Sequence, residues 1–321
     1  MKRILVLGGT GFVGRDLCEK LGQLQCRVTV PTRRMERAKA VWSLPWVDPI
    51  QADIHDEAAL TRLVHGHDAV VNLVAILHGT QAEFSKAHVD LVQKLVNACK
   101  AAGVKRVVHV SALGAATDAP SMYLRSKAQG EAVLAASGLD VSSIRPSVIF
   151  GAGDKFLNLF AKLQAVFPIM PLAGAEARFQ PVWVEDVAQA IVNLLRDRAA
   201  VGAAGGRGEA PVYEACGPDV FPLKELVQLA GRLSENRRPI FALPPSLARL
   251  QARMMEMAPG EPLMSRDNLD SMRSDNVASG RLPNLQALGI TPSALKAIAP
   301  TYLHPRYTGL LLARRRAAGR F

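Results

Sequence analysis

The chain runs out of acidic residues well before it ends. Asp275 is the last, and from Asn276 to Phe321 seven cations (Arg281, Lys296, Arg306, Arg314, Arg315, Arg316, Arg320) stand without an anion. Cysteine is scarce too. Cys18, Cys26, Cys99 and Cys216 lie far apart, form no CxxC and have no histidine at ligand spacing. That pattern argues against a zinc site or a disulfide framework and leaves reduced, mostly buried thiols. Long apolar runs are missing: the longest, around residues 69–77, is far too short to span a bilayer. No internal repeat is visible. Low complexity is confined to a Gly/Ala-rich stretch at 199–209, expected as a surface loop, and to the Arg-rich tail. Met1-Lys2-Arg3 runs directly into strand-like Ile4 to Leu7, with no signal-peptide or transit-peptide pattern. The expectation is a cytoplasmic protein, free or held peripherally at the cytoplasmic face of the inner membrane.

What is present is charge in two places. Lys and Arg total 39 and Asp and Glu 28, for a formal net charge of +11. The tail supplies seven of these charges. Residues 27–39 hold five cations against Glu36 and supply the other four, so the rest of the chain is neutral on balance. Two local clusters, not a diffuse basic coat, argue against a general nucleic-acid-coating protein. Hydrophobic residues make up 49% of the chain, enough for a substantial core in one large or two intertwined domains.

Residues 1–150 alternate between strand-like and helix-like patterns. Strands are expected at 4–7, 27–31, 49–53, 69–75, 106–111 and 140–145, and helices at 12–24, 57–64, 88–102 and 123–137. The strands read as continuous apolar runs, such as AVVNLVA at 69–75. This predicts an α/β fold: a doubly wound parallel sheet covered on both faces, with ligands at the carboxyl ends of its strands. After Pro146 the regularity declines, with helices expected at 156–167, 187–196, 222–233 and 246–257.

GGTGFVG, from Gly8 to Gly14, has the form GxxGxxG between the first strand and the first helix. Glycines there allow a tight turn and close backbone approach to a pyrophosphate, and the helix N-terminus supplies free N–H groups. Gly8, Thr10, Gly11, Phe12, Val13 and Gly14 are therefore candidate cofactor contacts. An acid at the end of the second strand would accept from a ribose 2′-OH. This chain has Thr32-Arg33-Arg34 instead, and guanidinium groups pair with a 2′-phosphate. Arg33 and Arg34 thus point to NADP(H) rather than NAD(H). Asp53 and Ile54, after the third strand, are placed to meet the adenine, and Val74 and Ala75, after the fourth, the adenine ribose. Tyr123 and Lys127 form a YxxxK whose spacing puts both on one helix face. A lysine there holds the nicotinamide ribose and lowers the tyrosine pKa, so that the phenol exchanges a proton with a carbonyl or alcohol oxygen. Ser111, ending the preceding strand, is placed to donate to the same oxygen.

Taken together, GGTGFVG, the Arg pair, Asp53, SALGA at Ser111, YLRSKAQGE at Tyr123, IRPSVIFGAGD from Ile144 and QPVWVEDVA from Gln180 resemble an extended or atypical short-chain dehydrogenase/reductase. Within it the chain most resembles the subgroup of the nucleotide-binding accessory subunit of respiratory complex I, through those segments with YEACGPDVF and PLMSRDNLDSMRSDN. The resemblance implies a Rossmann-type NADP-binding domain over 1–155 with part of 180–230 interleaved, a smaller substrate-covering lobe over 156–300, and a basic tail at 301–321. It also implies that Pro146 to Ile149, Val148 included, line the nicotinamide, that Asp186 is structural, and that there is a link to respiratory or quinone metabolism. The sequence departs from the family's active members where SALGA replaces an SSxxVYG-type segment and where His88 stands near a common asparagine. Two readings stay open: an oxidoreductase or epimerase-like enzyme acting on a lipophilic, quinone-related substrate, and a nucleotide-binding accessory or assembly protein.

Other residues carry weaker signals. His65 and His67 flank Gly66 and read as a solvated loop, and His109 as a satisfied core residue. Adjacent Glu185 and Asp186 point differently and do not form an acid/base pair. Met254, Met255, Met257, Met264 and Met272 read as core filler or as the lining of a lipid or quinone pocket. The 306–321 tail fits a solvated terminus, an anionic membrane surface or a protein partner. Nucleic acid is disfavoured, because no aromatic platform accompanies the charge.

Overall fold

The computed structural model describes residues 2–196, 210–257, 260 and 262–305. The expected loop at 199–209 and the tail from 306 onward lie outside them. Seven strands carry the first part of the fold: β1 (Arg3–Leu7), β2 (Arg27–Thr32), β3 (Val47–Gln51), β4 (Ala69–Asn72), β5 (Arg106–Val110), β6 (Asp140–Pro146) and β7 (Val212–Ala215). The longer helices are α1 (Phe12–Gln23), α2 (Glu57–Val64), α3 (Leu91–Ala102), α4 (Met122–Ala135), α5 (Leu157–Val166), α6 (Val184–Arg196), α7 (Leu223–Leu233) and α8 (Pro245–Met257).

The strands form one sheet in the order β7-β6-β5-β4-β1-β2-β3, and every pairing in it is parallel. This is a Rossmann-type sheet. The order reverses between β1 and β4, whose register brings Leu7 beside Asn72. A crevice for a ligand belongs at that reversal, outside the carboxyl ends. Leu60, Val64, Leu91, Leu95, Val96, Cys99 and Leu134, from α2, α3 and α4, pack with Leu5, Leu7, Val70, Val107 and Val141 of the sheet. Helices α1 and α6 pack together and α6 lies against β5 and β6. Burial of both faces explains the continuous apolar runs.

Several boundaries differ from expectation. Strand β3 occupies 47–51, not 49–53, and carries Pro49 inside it; an edge strand tolerates a residue with no N–H to give. The fourth strand ends at Asn72 rather than residue 75. Leu73 N still donates to Leu7 O, but Asn72 Oδ1 then takes the Val74 N–H and turns the chain out. The expected 88–102 helix starts earlier. A helical turn at Gln81–Ser85, closed by a Thr80/Glu83 capping box, leads through a π-helical turn at Lys86–Asp90 into α3. Strand β7 has no counterpart in the sequence reading. It is four residues long, and Glu214 within it is buried, its carboxylate accepting from Ser279 N.

The chain divides into two compact units. One comprises Met1–Pro146, Val184–Ala215 and Ser279–Thr291, and the other Ser147–Trp183, Cys216–Ala278 and Pro292–Phe321. The second has its own core, in which Phe150, Leu157, Phe160, Leu223, Leu226 and Leu295 meet. Within it Met170–Leu172 pairs in parallel with Ile240–Ala242. Among the described residues no helix is long and apolar enough to cross a membrane, and no group of three His, Cys, Asp or Glu side chains gathers to hold a metal.

Candidate nucleotide and catalytic site

The glycine turn follows β1 directly. Gly8 has φ +82°, a left-handed conformation that favours glycine, and a Cβ there would press on the Leu73 backbone at 3.2 Å. A Cβ on Gly14 would lie 2.5 Å from Gly8 O and from Gly9 Cα and O, so the first turn of α1 sits directly on the glycine loop. Gly9 is equally constrained, with Val30 methyls 2.8 Å from its would-be Cβ. It belongs to the same motif, though the GxxGxxG spacing does not single it out. Gly11 caps α1 without a side-chain hydrogen bond, and no acid stands in the first turn. The N–H groups and positive dipole end of α1 are thus left for an anion, a cradle that fits a pyrophosphate.

Around this turn the carboxyl ends of β2, β3 and β4 bring the expected contacts of the first unit to one edge. Arg33 and Arg34 follow β2 on an exposed segment, and neither makes an ion pair among the described residues. Thr32 Oγ1 donates to Arg34 O and so shapes the bend that presents them. Asp53 is exposed two residues past β3, where its carboxylate accepts from His55 N, with Ile54 half-buried beside it. Val74 is partly buried and held by Asn72, and Ala75 next to it is exposed. Pro146 ends β6 and its carbonyl accepts from Leu113 N. Val148 belongs to the second unit, where its N–H donates to Asn276 Oδ1.

The chemistry-bearing residues converge on α4. Lys127 is 1% exposed, and its ammonium donates to Val110 O, at the end of β5, over 2.8 Å. Burial lowers its pKa to about 8, partly opposed by Glu131. Tyr123 lies one turn earlier, and its apolar surroundings push the phenol up to about 12. Its ring meets Phe84 and His88 edge-on, at centroid distances of 6.1 and 5.6 Å. Ser111 is buried at the end of β5, where its N–H donates to Ile144 O. Its Oγ is closed off from solvent and has no partner among the described residues. To orient a ligand oxygen as expected, its neighbours must shift.

His88, met in the sequence only as a departure, is the centre of a hydrogen-bonded chain. The Ile76 N–H donates to His88 Nε2 at 3.1 Å, so the ring proton lies on Nδ1, which donates to Ser126 Oγ at 2.8 Å. Ser126 Oγ in turn donates to Tyr123 O. Burial, with Lys127 nearby, drives the His88 pKa down to about 3, so the ring stays neutral. The chain ties the loop after β4 to the helix that carries Tyr123. Only the pairing of helices distant in sequence brings these groups together, so no local pattern announces it.

Two other histidines depart from what the sequence predicts. His109 is not fully satisfied: Nδ1 accepts from Asn72 Nδ2, but Nε2 is buried with no partner among the described residues. His67 is half-buried, its Nε2 2.8 Å from Thr29 Oγ1, rather than part of a solvated loop. Met254 and Met257 are not core filler, being 66% and 79% exposed, whereas Met272 packs on the core of the second unit. Glu185 pairs with Lys20 while its neighbour Asp186 is buried.

Residues 4–205 match the model of the NAD dependent epimerase/dehydratase family. The chain is 30% identical over 314 residues to NADH dehydrogenase (ubiquinone) 1 alpha subcomplex subunit 9, mitochondrial, of Mus musculus, a match spanning 95% of this chain and 81% of that protein. It is 31% identical over 195 residues to the ceramide reductase of Caulobacter vibrioides, spanning 60% of this chain and 61% of that one. Among solved structures, an NADPH-dependent quinone oxidoreductase of Escherichia coli, complexed with NADPH, aligns with a TM-score of 0.69 at 19% identity, over 92% of this chain and 98% of that one. This last likeness concerns the fold.

Proposed function

The chain belongs to the NAD dependent epimerase/dehydratase family, the extended short-chain dehydrogenase/reductases, and from that premise we propose that it binds NADP(H) and acts as an oxidoreductase or epimerase-like enzyme on a lipophilic, quinone-related carbonyl or alcohol. The observation that carries the reading is the joint placement of Tyr123 and Lys127 on α4 at the carboxyl end of β5, in the same unit as an uncapped glycine turn. A bound nicotinamide supplies or accepts the hydride. Lys127, anchored on Val110 O, keeps donors for the ribose hydroxyls; contrary to the expectation from the YxxxK spacing, it does not lower the phenol, which burial pushes up to about 12. Tyr123 donates its proton to the substrate oxygen in the reductive direction and recovers it in the oxidative one. Ser111 is the donor that orients that oxygen once its hydroxyl is uncovered. A lipophilic substrate draws support from the similarity to a ceramide reductase.

NADP(H) is favoured over NAD(H) by the two exposed arginines after β2 and the absence of an acid there. Replacing both Arg33 and Arg34 by alanine weakens NADPH about 1–3 kcal/mol more than NADH, the range for charge-assisted contacts. Calorimetric titration with each nucleotide measures this, and equal losses would remove the NADP assignment.

A second reading makes the nucleotide a structural element in an accessory or assembly protein of a respiratory or quinone-biosynthesis complex at the membrane. It draws on similarity to a complex I subunit across nearly the whole chain and on the closed-off Ser111 hydroxyl. The two part on one measurement: nucleotide copurifying with the protein, followed by absorbance as quinones and carbonyl compounds are added. Oxidation of bound NADPH within the time of mixing supports the enzyme. Stoichiometric NADPH that neither exchanges nor changes redox state supports the accessory role. A contact of the 306–321 tail with an anionic membrane or a partner belongs to either reading.

A further inference from the structure

Helix α8 is amphipathic the wrong way round for a core helix. The residues it buries are Ala248 and Ala252. Four of its large apolar side chains face outward: Leu247 is 50% exposed, Leu250 55%, Met254 66% and Met257 79%; Met255 is half-buried on the side of the alanines. Their spacing of three, four and three residues places them within an arc of about 80° at 100° per residue, along a stripe about 15 Å long. The two alanines lie on the opposite side of the helix. Phe241, 54% exposed on the strand that precedes α8, adds to the apolar surface of the same segment. Single exposed apolar residues need no explanation, but an ordered stripe of four does.

We propose that this stripe is a membrane-docking face that lays α8 in the headgroup region of an anionic bilayer. The charges beside it select the occupant. Residues 232–257 carry Arg232, Arg237, Arg238, Arg249 and Arg253 against Glu235 and Glu256, a net +3. Glu256 is already paired with Arg266. Arg253 is exposed on one flank of the stripe, where an arginine reaches lipid phosphates while its stem follows the apolar face; Arg249, on the same flank, is exposed but already pairs with Asp270 over 3.0 Å. The same charges disfavour two other covers. The chain's own tail carries cations and no anion beyond Asp275, and a second copy of α8 would set arginine against arginine. The surface is distinct from the tail and does not depend on the nucleotide reading.

The test is flotation of the full-length protein with vesicles of phosphatidylcholine alone or mixed with phosphatidylglycerol. Wild type floats with the anionic vesicles and far less with the neutral ones. The double variant L250E/M254E loses about tenfold or more of that binding, with NADPH affinity and melting temperature unchanged because both sites face water. R253E, which replaces an exposed cation on the flank, loses binding by a smaller factor and serves if the double variant is poorly folded. Replacing Arg314, Arg315 and Arg316 by alanine leaves the stripe-dependent part of the binding in place. Failure of wild type to float with anionic vesicles overturns the proposal. So does equal flotation of the stripe variants, or a stripe substitution whose sole effect is on oligomeric mass. NADPH titration of the same samples reports separately on the nucleotide reading.

Discussion

Tyr123→Phe is expected to lower turnover by about 10²–10⁴-fold, the range for loss of a positioned proton donor, while NADPH affinity stays nearly intact. The separation follows from what the side chain touches. Its ring meets Phe84 and His88 edge-on, contacts that phenylalanine keeps. The helix register that holds Lys127 is set by backbone and by Val110 O, which the substitution does not reach. Only the hydroxyl is lost. At neutral pH that hydroxyl is protonated, since its surroundings push it up to about 12, and Lys127, at about 8, is mostly charged. The pair is therefore poised to give a proton rather than to take one, and reduction of a carbonyl is the direction to assay. Steady-state rates against NADPH titrations on the same preparations decide the matter, and a variant as active as wild type would eliminate Tyr123 as the acid.

Gly130→Ala is expected to destabilise the protein by about 3 kcal/mol, the upper part of the usual range for overpacking. A Cβ at Gly130 would lie 2.2 Å from His88 O, and that oxygen is backbone, part of the π-helical turn at Lys86–Asp90. No rotamer change relieves the overlap; the two helical segments must move apart. That movement also stretches the hydrogen bond of 2.8 Å between His88 Nδ1 and Ser126 Oγ, and with it the link to Tyr123. Gly138→Ala is the control. Gly138 has φ +73° and nothing within 4 Å of the added carbon, so its cost is backbone strain of about 1 kcal/mol. Chemical denaturation of the three proteins measures both differences. Equal midpoints for the two variants would mean that the helices yield freely at His88.

The contrast between these sites shows what can be read from one dimension. The parallel sheet was legible because both of its faces are buried, which leaves apolar runs in the sequence and glycines where β1 turns into α1. The YxxxK pair was legible because helical spacing alone puts both residues on one face. His88 looked like a missing asparagine, and its role exists only because Ile76, Ser126 and Tyr123 arrive from three segments. Strand β7 went unread because what makes it a strand is a free edge on β6, not its own four residues. Met254 and Met257 of α8 carry the periodicity of a core helix, and the fold turns their face outward by packing the alanines. Most of the elements, the glycine turn and the two clusters of charge are legible in the sequence, because periodicity, glycine geometry and charge act over a few residues. Tertiary structure alone decided which side of each helix is covered and which buried groups find partners, because burial depends on surfaces supplied by residues far away along the chain.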